Sequence, residues 1–197
     1  MNTSVSIPEK GTMIRARLPK RARAIYAIQH PEIVTAERCR RRLFSFMQEF
    51  WPEISADEPI WNWHIPYICS ELEMVARRVA AGLPREYDLI INIPPGTTKS
   101  TTCTIMFPVW CWTNWPWMRF IASSYAGSLS LEHAEASRDL VRSTRFKAIY
   151  PHREIKQDKD TKSNFRVIER LPDGTAKLGG SRFSTSVGGA VTGYHGH

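Results

Sequence analysis

Leu89-Ile-Ile-Asn-Ile-Pro-Pro-Gly-Thr-Thr-Lys-Ser-Thr101 is the stretch whose reading decides the fold of this chain. A short apolar run breaks at Pro94-Pro95-Gly96 and then passes through Lys99-Ser100 into a segment that can be helical. Buried strand, turn, Lys-Ser and helix, in that order, make a phosphate-binding loop. A buried strand anchors the loop. Successive backbone N–H groups and the helix N-terminus, with roughly half a positive charge, hold phosphate oxygens. The lysine reaches the β- and γ-phosphates, and the hydroxyl after it ligates Mg²⁺. The usual pattern has Gly immediately before the Lys. Here Thr98 stands there and Gly96 is the only loop glycine. Thr tolerates positive φ poorly, so the expectation is a loop of variant path. The competing reading is an αβ turn carrying a surface lysine.

Working outward, the 197 residues suffice for one sizeable domain with its own core. Apolar residues make up 42%, a globular composition. No apolar run approaches the roughly 20 residues of a membrane span, and the first residues lack the pattern of a secretory signal. Cys39, Cys69, Cys103 and Cys111 form no CxxC pair and read as reduced, mostly buried thiols. These features together suggest a cytosolic protein.

Net charge is +8. Much of the excess lies in Lys10, Arg15, Arg17, Lys20, Arg21 and Arg23, then Arg38, Arg40, Arg41 and Arg42. Such a surface suits a polyanion; a solvated, soluble face is the alternative.

Residues 1–30 read as a basic N-terminal arm or short helix, and 31–86 as a helical lead-in. Leu43, Phe46, Met47 and Phe50 form the stripe of an amphipathic helix ending at Trp51-Pro52. A loop with Trp61-Asn62-Trp63-His64 follows. A second helix then presents Ile68, Leu72, Val75 and Val79 and stops at Gly82. Residues 87–197 read as an α/β core. Its elements are a strand at Leu89–Ile93, a helix at Thr101–Trp112 bent at Pro108, a strand at Met118–Ser123 and a helix at Ser128–Ser143. A hairpin of Asn164–Glu169 and Ala176–Ser186 turns on Pro172-Asp173-Gly174. Trp110, Trp112, Trp115 and Trp117 crowd one junction, as core filler or as base-stacking surfaces.

Four motifs in this order resemble the large terminase subunits of tailed bacteriophages, the ATPases that pump DNA into the empty capsid. They are Asn62-Trp63-His64-Ile65 with Ile68-Cys-Ser-Glu-Leu72; Leu89 to Ser100; Ile121-Ala-Ser-Ser-Tyr125 with Ser137-Arg-Asp-Leu-Val-Arg142; and Phe183-Ser-Thr-Ser-Val-Gly-Gly-Ala-Val-Thr-Gly193. The resemblance covers about residues 40 to 197. It implies a three-layer P-loop NTPase-type parallel sheet flanked by helices, incomplete here, with an N-terminal helical segment. In the family, the segment after Thr192-Gly193 runs into the strand of the Walker B aspartate and then the catalytic glutamate. The chain matches the part of the ATPase domain ahead of that strand, so the expectation is nucleotide and DNA binding with little or no hydrolysis.

The resemblance also implies roles. Lys99 contacts the β- and γ-phosphates, Ser100 holds Mg²⁺, and Pro95, Gly96, Thr97, Thr98, Lys99, Ser100 and Thr101 cradle the phosphates of ATP. Trp63 and His64 line the adenine pocket, or are a packed Trp with an exposed His. Arg138 and Arg142 reach a neighbouring subunit's nucleotide, or are solvated helical charges; an arginine acting this way raises the rate of other NTPases by on the order of 10³–10⁵. Ser123, Ser124 and Tyr125 sense the γ-phosphate or cap the next helix. The implied partners are double-stranded DNA, the portal protein, the small terminase subunit and further copies in a ring, in the host cytoplasm. No motif places the chain at a membrane. His195 and His197, without a third ligand, do not read as a metal site. Asp158, Lys159, Asp160 and Lys162 read as a solvated loop. The rival readings are a fragment of a helicase-like motor, which would share the loop but not the Ser186-Val-Gly-Gly-Ala-Val-Thr-Gly193 segment, and a non-enzymatic DNA- or partner-binding module.

Overall fold

The computed structural model describes residues 19–84, 86–157, 161, 164–189 and 191–197. Lys10, Arg15, Arg17, Asp158, Lys159, Asp160 and Lys162 lie outside the described residues. Helices α1 (Lys20–Gln29), α2 (Pro31–Arg41) and α3 (Leu43–Phe50) come first, with a 3-10 turn at Trp51–Glu53 and α4 (His64–Ala80) after it. Pro31 opens α2, where its missing N–H costs nothing. Arg42 is extended and separates α2 from α3. The stripe Leu43, Phe46, Met47 and Phe50 is wholly buried. The Glu73 carboxylate of α4 accepts the Leu43 N–H at 2.7 Å, satisfying an orphan donor at the start of α3.

A helical segment then runs over 99–114. It is wound as a π-helix at Thr101–Met106 and as α5 at Phe107–Asn114. The sequence expects a bend at Pro108, and the π turn lies where that proline perturbs the helix. Pro108 has no N–H for the Thr104 carbonyl four residues back and would clash with it. The helix widens there into the π turn. Trp110 and Trp112 are fully buried, and their indole N–H groups donate to Cys39 O and Met118 O, each at 2.9 Å. These two tryptophans are core filler, while Trp117 is exposed.

The sheet is built from β1 (Phe120–Ser124), β2 (Arg153–Ile155), β3 (Asn164–Arg170) and β4 (Ala176–Ser186), with α6 (Gly127–Arg142) and α7 (Thr144–Ile149) between β1 and β2. Strand order is β1-β4-β3-β2. Among the described residues only β1 and β4 are parallel; β4 with β3 and β3 with β2 are antiparallel. The chain is therefore α/β, but the parallel sheet expected from the sequence is, among the described residues, mixed. The 164–186 hairpin reaches back so that its second strand lies beside β1. Gly180 makes that approach possible: a Cβ there would sit 1.7 Å from Met118 O.

A second expectation also fails. Leu89–Ile93 forms no strand: among the described residues no backbone hydrogen bond engages it. Its side chains alternate as in extended chain, with Leu89, Ile91 and Ile93 against the core and Ile90 87% exposed. An apolar run becomes a strand only when a neighbour supplies the ladder. The outer edge of β1 does not. At that edge the His197 N–H donates to Arg119 O at 3.0 Å, and the Arg119 N–H donates to His197 Nδ1 at 2.9 Å.

Phe120, Arg182 and Phe165 are paired across β1, β4 and β3 and share one face. Trp112 packs edge-on against both phenylalanines from α5. On the opposite face Tyr194 lies flat on Phe183 at 3.6 Å, and Gly196 rests against Ile121. No helix among the described residues is long and apolar enough to cross a membrane.

Candidate functional site

The loop from Pro94 to Ser100 links the unpaired run to the 99–114 helix. Gly96 has φ +78 and Thr98 has φ +63. Thr98 itself takes the left-handed conformation that the glycine of the usual pattern supplies, although a β-branched residue is strained there. Local hydrogen bonds hold the turn. Thr97 Oγ1 donates to Pro94 O at 2.6 Å and Thr98 Oγ1 to Thr97 O at 2.6 Å. Thr98 O then receives both the Thr102 N–H, at 2.8 Å, and Thr102 Oγ1, at 2.9 Å.

The donors ahead of this anchor are unused. Among the described residues, the backbone N–H groups of Thr97, Thr98, Lys99 and Ser100 donate to no backbone carbonyl. Four consecutive N–H groups at a helix start, following a left-handed residue, are the backbone arrangement that receives an anion. Lys99 is half-buried and joins no carboxylate among the described residues; Ser100 is exposed. Burial pushes the Cys103 thiol up to about 11, while the Lys99 ammonium pulls it down.

His64 is brought to this loop. It begins α4, and its Nε2 lies 3.3 Å from Thr97 O. Trp63 beside it is 75% exposed, its ring perpendicular to the imidazole at 6.2 Å. The exposed indole excludes the reading of Trp63 as a packed side chain. Arg138 sits on α6, held by Glu135 at 3.3 Å and Asp139 at 3.5 Å. Arg142 lies one turn on and is exposed. Glu135 and Asp139 lie on the same helix as Arg138. Ser123 and Ser124 do not cap α6: its N-cap is Ala126, without a side-chain bond, and Tyr125 is exposed. The family models, the curated proteins and the solved structures offer no match to this chain.

Other sequence-singled residues fall elsewhere. Arg40 and Arg41 pair with Glu37, Arg38 with Glu49, and Arg42 with Glu73, so carboxylates partly offset this basic run. No group of three metal-ligating side chains occurs among the described residues. The open cavity of about 380 Å³ lined by Ser70, Glu73, Met74, Arg77, Arg78 and Leu83 lies on the C-terminal half of α4. The loop meets the other end of that helix. Volume alone would favour the cavity, but two arginines already engaged with Glu73 and Glu86 offer less for a ligand than the unused N–H groups.

One group carries no signal in the sequence pattern, Arg182. It is completely buried, on the inward face of β4, and its guanidinium touches the π turn behind the 94–100 loop. Burial holds it well below its usual value, at about 10.

Proposed function

We propose that this chain binds a nucleoside triphosphate at residues 94–101 and is part of a terminase-type ATPase domain, with ATP and Mg²⁺ as its ligands. The observation that carries the reading is the loop itself. Two left-handed residues, Gly96 and Thr98, lead into a helix start whose N–H groups are unused and whose first residue is a lysine with no carboxylate partner among the described residues. A surface turn has no need of a threonine at φ +63. In the proposed complex Lys99 contacts the β- and γ-phosphates, Ser100 Oγ joins the Mg²⁺ shell, and the amides from Gly96 to Thr101 cradle the phosphates. The exposed Trp63 ring and His64 flank the base. Arg138 and Arg142 would act, in a ring of such subunits, on a neighbour's nucleotide.

These residues suit binding better than turnover. Phosphoryl transfer also needs a carboxylate on the metal and a group orienting the attacking water. No carboxylate is bonded to Lys99 or Ser100 among the described residues. A fluorescent ATP analogue titrated in the presence of Mg²⁺ tests the reading. Lys99→Ala should weaken binding by about tenfold or more, the loss of one charge-assisted contact. Ser100→Ala should remove most of the Mg²⁺ dependence. Equal affinity of wild type and Lys99→Ala would reject the assignment.

A further inference from the structure

We propose that Arg182 is a positioning residue for the phosphate loop: it fixes the π turn behind Lys99 and keeps an uncompensated positive charge beneath the phosphate-binding end of that helix. The proposal rests on the nucleotide-binding reading above. Its origin is the chemistry of Pro108. Because residue 108 cannot donate, the Thr104 carbonyl four residues earlier loses its α-helical partner. The Arg182 Nη1 donates to that carbonyl. Nη1 also donates to Ser137 Oγ at 2.8 Å, and Ser137 Oγ in turn donates to Ile105 O at 2.9 Å. Two successive carbonyls of the π turn are thus held by groups from β4 and α6. The Arg182 Nε contacts Ser184 Oγ at 3.2 Å, which fixes the guanidinium plane.

Stability does not account for this arrangement. Arg182 lies on the central strand between Phe120 and Phe165, fully buried, and no carboxylate pairs with it among the described residues. Its Nη2 is buried and has no hydrogen-bond partner there. Burying a charge without an opposite charge, and leaving one donor orphaned, costs free energy that an apolar side chain of similar length would avoid. The burial even disfavours the charge of its neighbour: desolvation first, and Arg182 second, hold His133 below the usual histidine range. A cost of this kind points to a function served by the charge. Thr104 lies five residues beyond Lys99, less than the about 7.5 Å that five α-helical residues would span, because most of that segment is π-wound. A cation at that depth, shielded from water, acts on anions held at the helix start and on the rigidity of the turn that aims Lys99.

Wild type, Arg182→Met, Arg182→Lys and Lys99→Ala, all in the full chain, separate this role from a structural one. The readouts are thermal unfolding, MgADP affinity, and amide hydrogen exchange of 99–106 in nucleotide-free protein. Arg182→Met should exchange faster over 101–106 and bind MgADP about tenfold more weakly, whichever way the loss of a buried charge and the orphaning of the Thr104 carbonyl balance in its melting temperature. Arg182→Lys, which keeps the charge, should stay within about threefold of wild type in affinity. Arg182→Met with a lower melting temperature but unchanged affinity and exchange would overturn the proposal. So would Arg182→Lys losing as much affinity as Arg182→Met, or, should the Met variant fail to fold, as much as Lys99→Ala. Absence of MgADP binding by wild type would instead reject the nucleotide reading, and the exchange of 101–106 would then still decide whether Arg182 holds the turn.

Discussion

Replacing Thr98 by glycine should stabilise the protein, although it removes a side chain that makes a hydrogen bond. Thr98 sits at φ +63, where the Cβ of an L-residue costs roughly 1–2 kcal/mol through its closeness to backbone oxygen. Glycine escapes that penalty but adds about 0.5–1 kcal/mol of backbone entropy to the unfolded state. The lost Thr98 Oγ1 to Thr97 O contact spans adjacent residues at a partly exposed site, so water replaces it at little cost. Thr98 O, which anchors Thr102, belongs to the backbone and survives the change. The balance favours glycine by about 0.5–1 kcal/mol. In a domain of this size that raises the melting temperature by about 1–4 °C. Thr98→Ala is the control, since it keeps the Cβ at positive φ and gains nothing. Denaturant unfolding of the three proteins measures the differences. If Thr98→Gly were destabilised by more than about 1 kcal/mol, with Thr98→Ala unchanged, the left-handed turn would not be the conformation of this loop.

Gly180→Ala should cost about 3 kcal/mol or more, because its Cβ would overlap Met118 O and force β4 away from β1; circular dichroism melting decides. The Arg170 fork on Glu154, with bonds of 2.9 and 2.8 Å, holds that carboxyl below its reference value of 4.5, while partial burial opposes the shift. A lowered folded pKa stabilises above 4.5 and is lost as pH falls through the folded value. The melting-temperature gap between wild type and Glu154→Gln should therefore be constant above about pH 5 and close below pH 4.5; a gap that widens in acid would refute the pairing. Duplex DNA should bind weakly, regardless of sequence, with log K falling by about 0.9 per phosphate neutralised as log[salt] rises. Because Glu37, Glu49 and Glu73 engage Arg38 to Arg42, changing those four arginines to glutamine should reduce the slope by less than four such steps.

The parts legible in the sequence are those whose signal is local. The α3 stripe is buried residue for residue, and the hairpin turns where Asp173 accepts the Thr175 N–H at 2.8 Å and Gly174 takes φ +81. The residues of the Pro94–Ser100 turn follow one another in the chain, so a break in the apolar run at Pro94-Pro95-Gly96 is legible from their order alone. Leu89–Ile93 shows the opposite case: its composition is that of a strand, but a ladder depends on a distant partner. Three-residue β2 was missed because its pairing with β3 is specified by that neighbour and not by its own residues. In β4 the alternation misleads. Gly180, Arg182 and Ser184 face inward, while Phe183 takes the outer face under Tyr194. Hydrophobicity would have set the opposite register. The place of Arg182 depends on Pro108, ahead of it in the chain by 74 positions, which leaves the Thr104 carbonyl for it to hold.

The most direct measurement of the central claim is the change in backbone amide shifts when MgATP is added to the isotopically labelled chain. The largest changes should fall on Gly96, Thr97, Thr98, Lys99, Ser100 and Thr101, with smaller ones at His64, and should vanish in Lys99→Ala. Shifts confined to Ser70, Met74, Arg77 and Leu83, or none at saturating nucleotide, would contradict the account.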